Sequence, residues 1–363
     1  MIRVLHSVSN MHRAGIETML MNYYRRMDRS RIQFDFLCNK PDYGAYEPEI
    51  EELGGHIYRA PGLNPLKIFK YGRFMKNLIE KNPDIRILHA HNESMAAYAL
   101  ISARHCGVPI RIFHSHNTRT ERDYKWPLKM VCKQLLPFGY TKRFACGEAA
   151  ARYFFGKKPA YILHNAIEID KFAFSEEKRN KIREEYNLTD SFVIGHVGRF
   201  NYQKNHAFLI DVFAGVIKEC PNARLVLIGN GELEEKIKIQ AGKLGIEDKI
   251  LFPGSIANVD QWYSAMDVFA LPSRYEGLPV VGVEAQASGV KCLFSDKISD
   301  EVQVTETTEM IPLNKNIWIK KIVDCAGCPR CFGAEQEIRD AGYDIDIEAD
   351  KLSEYYLSLI KTL

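Results

Sequence analysis

Short apolar runs alternate with longer amphipathic ones along most of this chain of 363 residues. No single motif constrains the fold as tightly. A strand, a helical segment and a second strand join as parallel neighbours through a right-handed crossover. Repeating that unit builds an open sheet with helices on both faces. In the first half, 2–8, 34–38, 85–90 and 110–114 read as strands, and 17–27, 66–81 and 96–105 as helices. In the second half, 192–197, 224–228, 250–252, 268–271 and 291–294 read as strands, with helices over 206–220, 233–244, 260–265 and 280–287. The periodicity breaks near 162–174, around Pro159 and Asn165. The expected architecture is therefore α/β, with two tandem doubly wound Rossmann-like domains facing an interdomain cleft. The expected bounds are 1–168 and 169–342, with a C-terminal segment 343–363 packing back on the first domain. Its apolar positions 352, 355, 356, 359 and 360 mark an amphipathic helix.

Composition narrows the class. Hydrophobic residues at 46% and charged residues at 26% are the balance of a globular protein with a core. No run of about 18 apolar residues occurs, so no membrane-spanning helix is expected. Residues 1–6 turn polar too early for a secretory leader, and the expected location is the cytoplasm. The nine cysteines are odd in number and six are scattered, which fits reduced thiols better than a disulfide framework. The net charge of +3 conceals an asymmetry. Residues 1–168 hold 26 Lys and Arg against 15 Asp and Glu, whereas 169–363 hold 23 against 31. A basic half is expected to face an anionic acceptor or surface. It lacks a nucleic-acid recognition module and the other half is acidic, so no nucleic-acid partner is expected.

Parallel sheets take ligands at the carboxyl ends of their strands, so the segments just after the apolar runs carry the candidate chemistry. The first is Gly198-Arg199-Phe200-Asn201-Tyr202-Gln203-Lys204-Asn205, between a strand and a helix. Two cations beside a helix N-terminus suit a diphosphate, because fixed charge and helix dipole both favour an anion. The plainer alternative is a solvated loop. The second is Glu276-Gly277-Leu278 through Glu284. Backbone N–H groups of Gly277 and Leu278 could reach a phosphate, and a carboxylate can accept from a ribose diol. Glu284 stands among Val280, Val281, Val283, Ala285 and Ala287, where a carboxylate needs a partner. The loop 9–17 carries Gly15, which allows close backbone approach or simply makes a turn.

Three further clusters leave alternatives open. His89-Ala90-His91-Asn92 and His114-Ser115-His116-Asn117 each follow a strand. They read as hydrogen-bond donors to a polar ligand, as structural histidines, or as metal ligands lacking an evident third partner. Cys325, Cys328 and Cys331 have the spacing of zinc or iron–sulfur ligands, with Cys292 the nearest upstream cysteine; a reduced surface loop is the alternative. Arg119, Arg122, Lys125, Lys129, Lys133, Lys142 and Arg143 interleave with Trp126, Leu128, Met130, Val131, Leu135, Leu136 and Phe138. That stretch reads as a surface for an anionic membrane or as a packed helix with a solvated basic face.

Together these residues resemble glycosyltransferase family 4, retaining enzymes of the GT-B fold, over most of the chain. The matching pieces are Gly15-Ile16-Glu17, His114-Ser115-His116-Asn117, Gly198-Arg199 with Lys204-Asn205, Gly229-Asn230-Gly231-Glu232, and Glu276 to Glu284. The chain is most similar to the bacterial exopolysaccharide-type members. The resemblance implies transfer of a sugar from a UDP- or GDP-sugar to a glycan or lipid-linked acceptor, with retention and with no cofactor or metal. It implies that Arg199 and Lys204 hold the diphosphate, Glu284 the ribose hydroxyls and Glu276 the donor sugar or phosphate. Gly15, Gly198, Gly229, Asn230, Gly277 and Leu278 would line the donor, and His116 or His114 would bond its sugar, His116 being favoured. Where the family has two adjacent glycines in its first loop, this chain has Ala14 and Gly15, and the cysteine cluster 325–331 departs from the family pattern. A nucleotide-sugar epimerase or a non-catalytic sugar-nucleotide-binding subunit are the competing readings. Peripheral association at the inner membrane face is part of the expectation.

Overall fold

The computed structural model describes residues 1–120 and 123–363. The chain forms two compact units: residues 1–166 with 345–363, and residues 167–344. Each is a parallel sheet with helical connections.

The described residues of the first unit form seven strands: β1 (Ile2–Val8), β2 (Ile32–Cys38), β3 (Ile57–Arg59), β4 (Ile85–Ala90), β5 (Ile110–Ser115), β6 (Lys142–Ala145) and β7 (Tyr161–Ile162). Their order is β3-β2-β1-β4-β5-β6-β7. The central strands are apolar because both faces are covered; β2 is buried along its whole length. The C-terminal helix Ile345–Lys361 belongs to this unit and packs beside the helix Gly15–Arg26. It buries Ile345, Ala349, Leu352, Tyr356 and Leu359, one stripe at helical spacing.

The second unit has six strands: β8 (Phe192–Val197), β9 (Ala223–Ile228), β10 (Ile250–Gly254), β11 (Val268–Leu271), β12 (Lys291–Ser295) and β13 (Thr308–Ile311), in the order β10-β9-β8-β11-β12-β13. Its core gathers Phe213, Leu209 and Val216 from the helix His206–Glu219 with Trp318 and Ile322 from Lys315–Asp324. No helix among the described residues is long and apolar enough to cross a membrane.

The long alternating segments lie where periodicity puts them, and β1, β4, β8 and β11 agree with the sequence to the residue. Other short elements do not show in the sequence. Strands β3, β6 and β7 span three, four and two residues and lack the unbroken buried apolar run that marks the equally short β11. The helix Glu176–Glu185 is almost wholly charged and has no apolar stripe. It is held by its ends and its charges. Ser175 Oγ accepts from Lys178 N at 3.2 Å as a cap, and Arg179 and Arg183 pair with Asp267 at 2.7 and 2.6 Å.

Candidate active site

In each sheet the strand order reverses once, between β1 and β4 and between β8 and β11. Ligands of open α/β sheets bind beside such a reversal, at the carboxyl ends of the strands. In the second unit, the loops leaving β8 and β11 are 198–205 and 272–279. They carry Arg199 and Lys204 on one side and Glu276, Gly277 and Leu278 on the other, and the structure joins them. Lys204 Nζ lies 2.8 Å from Glu276 Oε1, both side chains largely buried. Gln203 Nε2 donates to Glu276 Oε2 at 2.9 Å and to the Tyr275 carbonyl at 3.0 Å. Asn205 Nδ2 donates to the Pro272 carbonyl at 3.1 Å, a second tie between the loops.

Local chemistry explains the path of 198–205. Asn205 precedes the helix His206–Glu219 in the left-handed region (φ 60°), which Asn tolerates better than most residues. Asn201 Oδ1 accepts from Lys204 N at 3.0 Å, a turn-forming bond. Phe200 is buried and stacks on His206 with ring centroids 4.1 Å apart. Burial drives His206 down to about 2 and His196 to about 3, so both are neutral supports. A third loop, after β9, closes on the first. Gly229 has φ +135°, and an added Cβ would stand 2.2 Å from the Gly198 carbonyl oxygen. Only glycine fits there. Phe200 N then donates to Asn230 O at 3.0 Å. Arg199, more than half exposed, pairs with Glu232 from this loop at 2.9 Å.

Glu284 lies in the second turn of the helix Val280–Ala287 and is buried. The partner that its apolar setting demands is Tyr263, whose hydroxyl donates to Oε2 at 2.8 Å. Burial is the largest influence and raises the carboxyl to about 7, against the lowering effects of the Tyr263 bond, Lys171 and Lys204. Gln203 and Tyr263 are site residues that the sequence reading missed. Gln203 sits inside the quoted Arg-x4-Lys segment, so its signal was present; Tyr263 is brought in from another helix and had none.

In the first unit the histidines converge. His6 on β1, His89 and His91 at the end of β4, and His114 and His116 at the end of β5 are all buried. His6 Nδ1 is 3.0 Å from His91 Nε2, and His91 Nδ1 is 2.9 Å from His116 Nε2. His89 Nδ1 meets the Tyr356 hydroxyl at 2.6 Å. His6 was missed, although a histidine inside an apolar strand is itself a signal. Among the described residues, His6/His89/His91 and His91/His114/His116 each bring three ring nitrogens within 4.8 Å, a geometry open to a divalent ion. In each cluster one of the three nitrogens comes from a neighbouring strand, a convergence that spacing along the sequence did not reveal. His114 is fully enclosed, while His116 keeps 7% exposure. Gly15 opens the helix after β1 and is exposed, and an added Cβ would meet no atom of the described residues within 4 Å.

The remaining clusters resolve in part. Among the described residues no disulfide joins any of the nine cysteines. The thiols of Cys325 and Cys328 face the carbonyls of Lys321 and Asp324 at 3.1 and 3.3 Å, and burial lifts Cys325 to about 11. Among the described residues these sulfurs do not join a three-ligand cluster. The segment also has a packing role. Arg330 is half-buried and donates to the carbonyls of Ser288 and Ser264 at 2.7 and 3.0 Å, close to the C-terminal ends of two helices. In the basic stretch, Trp126–Leu135 is a helix that buries only Cys132. Val131, Leu135 and Phe138 are exposed on it or just beyond. Lys129 pairs with Asp123 at 3.0 Å, and Lys133 lies 3.6 Å over the Tyr153 ring. Arg122 lies outside the described residues.

Comparison with known proteins adds a second line of support. The model described as Glycosyltransferase Family 4 matches residues 13–171, and that described as Glycosyl transferases group 1 matches residues 178–309. A putative glycosyltransferase, EpsF, of Bacillus subtilis is 35% identical over 98% of this chain and 96% of its own length. The capsular polysaccharide biosynthesis glycosyltransferase CapH of Staphylococcus aureus is 26% identical over the full length of both. The crystal structure of Anabaena Alr3699/HepE in complex with UDP-glucose superposes with a TM-score of 0.82 at 18% identity, covering 99% of this chain and 100% of that one.

Proposed function

This chain belongs to the glycosyltransferases of family 4, and from that premise we propose that it moves a sugar from a nucleotide-diphosphate-sugar to a glycan or lipid-linked glycan in cell-surface polysaccharide synthesis. The observation that carries the reading is the pair of cations Arg199 and Lys204 at the β8/β11 reversal, beside the N-terminus of His206–Glu219. Each is already matched to a carboxylate, Glu232 and Glu276. A diphosphate would take the place of those carboxylates. Releasing the exposed Arg199–Glu232 pair costs about 0–1 kcal/mol. When the anomeric bond breaks, negative charge grows on the departing phosphate, and cations already in position lower that barrier without reorganising. They supply the charge that a metal ion supplies elsewhere.

The other roles follow from the same reading. Glu284, held by Tyr263, accepts from the ribose hydroxyls. Glu276 turns to the donor sugar, whose hydroxyls also meet His116. Gly15 leaves room for the donor against the first loop, and Gly198, Gly229, Asn230, Gly277 and Leu278 shape the diphosphate site. The donor is a UDP- or GDP-sugar, UDP being favoured by the complex named for HepE. Transfer is of a hexosyl type and retains anomeric configuration, the acceptor entering on the face from which the diphosphate departs. The enzyme works in the cytoplasm, with the exposed basic helix Trp126–Leu135 turned toward an anionic inner membrane surface.

The decisive measurement is turnover with UDP- and GDP-sugars in Lys204→Ala and Arg199→Ala. Each is expected to lose about a hundredfold, the order seen when one charge-stabilising donor is removed. Near-normal turnover in both variants would sink the assignment.

A further inference from the structure

We propose that His6 and His91 act as positioning residues that fix His116 as a hydrogen-bond donor through its Nδ1, the three imidazoles forming one polarised chain. The proposal rests on the reading that His116 faces the donor sugar and goes beyond it, because it states which way the bond points and what sets it.

The geometry is a series of two bonds across three adjacent strands. His6 lies on β1, His91 directly after β4 and His116 directly after β5. His6 Nδ1 is 3.0 Å from His91 Nε2, and His91 Nδ1 is 2.9 Å from His116 Nε2. All three rings are buried, and burial disfavours the charged imidazole, so each is neutral. A neutral imidazole has one donor nitrogen and one acceptor nitrogen. Two bonds in series through such rings can run in only two ways.

In the first, His6 Nδ1–H donates to His91 Nε2, and His91 Nδ1–H donates to His116 Nε2. The proton of His116 then sits on Nδ1, the nitrogen left for a ligand. In the second, His116 donates through Nε2 and His91 through Nε2, so the proton of His6 must sit on Nε2. That nitrogen is enclosed and reached by no partner among the described residues. The second arrangement therefore buries an orphan N–H, and the first leaves only a bare lone pair. Orphan buried N–H groups are rare and costly, more so than unsatisfied acceptors. The first arrangement wins. His116 consequently presents a donor to an oxygen of the bound substrate and cannot accept a proton from a hydroxyl there.

Nitrogen-15 histidine labelling of the full chain reads this directly, because two-bond proton–nitrogen correlations distinguish Nδ1–H from Nε2–H rings. The expected spectrum shows His6, His91 and His116 all in the Nδ1–H form, assigned with single-histidine variants. An Nε2–H form of His116 overturns the proposal, as does a stoichiometric metal ion bound through His91 and His116. The functional arm compares His6→Leu with His6→Asn, whose amide nitrogen can take the place of Nδ1. His6→Leu is expected to lower kcat about tenfold, the scale of one hydrogen bond, with KM for the donor unchanged. His6→Asn is expected to recover most of it, and equal losses in the two variants overturn the proposal. If His6→Leu does not fold, the wild-type spectrum decides alone. His116→Ala separates the layers. Normal transfer in that variant defeats the donor-facing reading while leaving the tautomer result standing. Impaired transfer together with an Nε2–H ring defeats the relay alone.

Discussion

Glu284 and Lys204 show how differently burial treats two charged residues. Lys204 was named for its place after a strand and Glu284 for its place among apolar helix neighbours, and both are largely enclosed. Lys204 has a carboxylate within 2.8 Å, whereas among the described residues the side chain bonded to Glu284 is a tyrosine hydroxyl. A charge with no counter-ion in an apolar helix is disfavoured, and the carboxyl rises to about 7 from an ordinary 4.5. The folded state then holds that proton more tightly than the unfolded chain. Its contribution to stability is fully present below pH 4.5, falls as pH rises toward 7, and is gone above. Glu284→Gln is therefore expected to gain in melting temperature relative to wild type between those pH values and to level off beyond, in thermal melts across pH. Donor binding has the opposite dependence. Ribose hydroxyls favour the ionised carboxylate, so wild-type affinity for UDP is expected to weaken by up to about tenfold per pH unit below 7, and to flatten in Glu284→Gln. A pH-independent affinity in the wild type would remove Glu284 from the ribose.

At the scale of elements, long amphipathic helices and buried strands were legible because their periods repeat several times. Short strands such as β7 depend on a neighbour to pair with, and the helix Glu176–Glu185 depends on Asp267 from another segment. Loops behave in between. The loop 198–205 could be read as ligand-facing from its cations, but its shape depends on Gly229, which admits the next loop only because it has no Cβ. Gly229→Ala is expected to cost about 1–3 kcal/mol of backbone strain and displacement, measured as a melting-temperature drop, and to weaken UDP binding with it. Gly15→Ala is the contrasting case. Its surroundings are open, so the melting temperature is expected to hold while turnover falls. A stable, fully active Gly15→Ala would mean that no ligand approaches there.

Over the whole molecule, the chain completes its first unit with its last helix, returning at Ile345 after building the second. Tyr356 from that helix is fully buried and bonds His89, so the far end of the sequence helps enclose the histidine cluster of the beginning. Charge is also organised at this scale, with a basic first half and an acidic second. The exposed apolar residues Val131, Leu135 and Phe138 lie on the basic half. Co-sedimentation is expected with vesicles rich in phosphatidylglycerol, lost near about 1 M salt where screening shortens to about 3 Å, and absent with phosphatidylcholine. Equal retention on both vesicles would remove charge as the cause.

The sequence by itself determined the α/β class, the two-part organisation and the loops that carry the chemistry, because a hydrophobic period and the strand-end rule are local properties. Arg199, Lys204, Glu276 and Glu284 could be named from it. What they touch could not. The Lys204–Glu276 pair joins loops 72 positions apart, Tyr263 reaches Glu284 from another helix, and His6 meets His91 across 85 positions. Ionisation, tautomer and pairing depend on which groups share a desolvated space, and only the packed tertiary structure decides that.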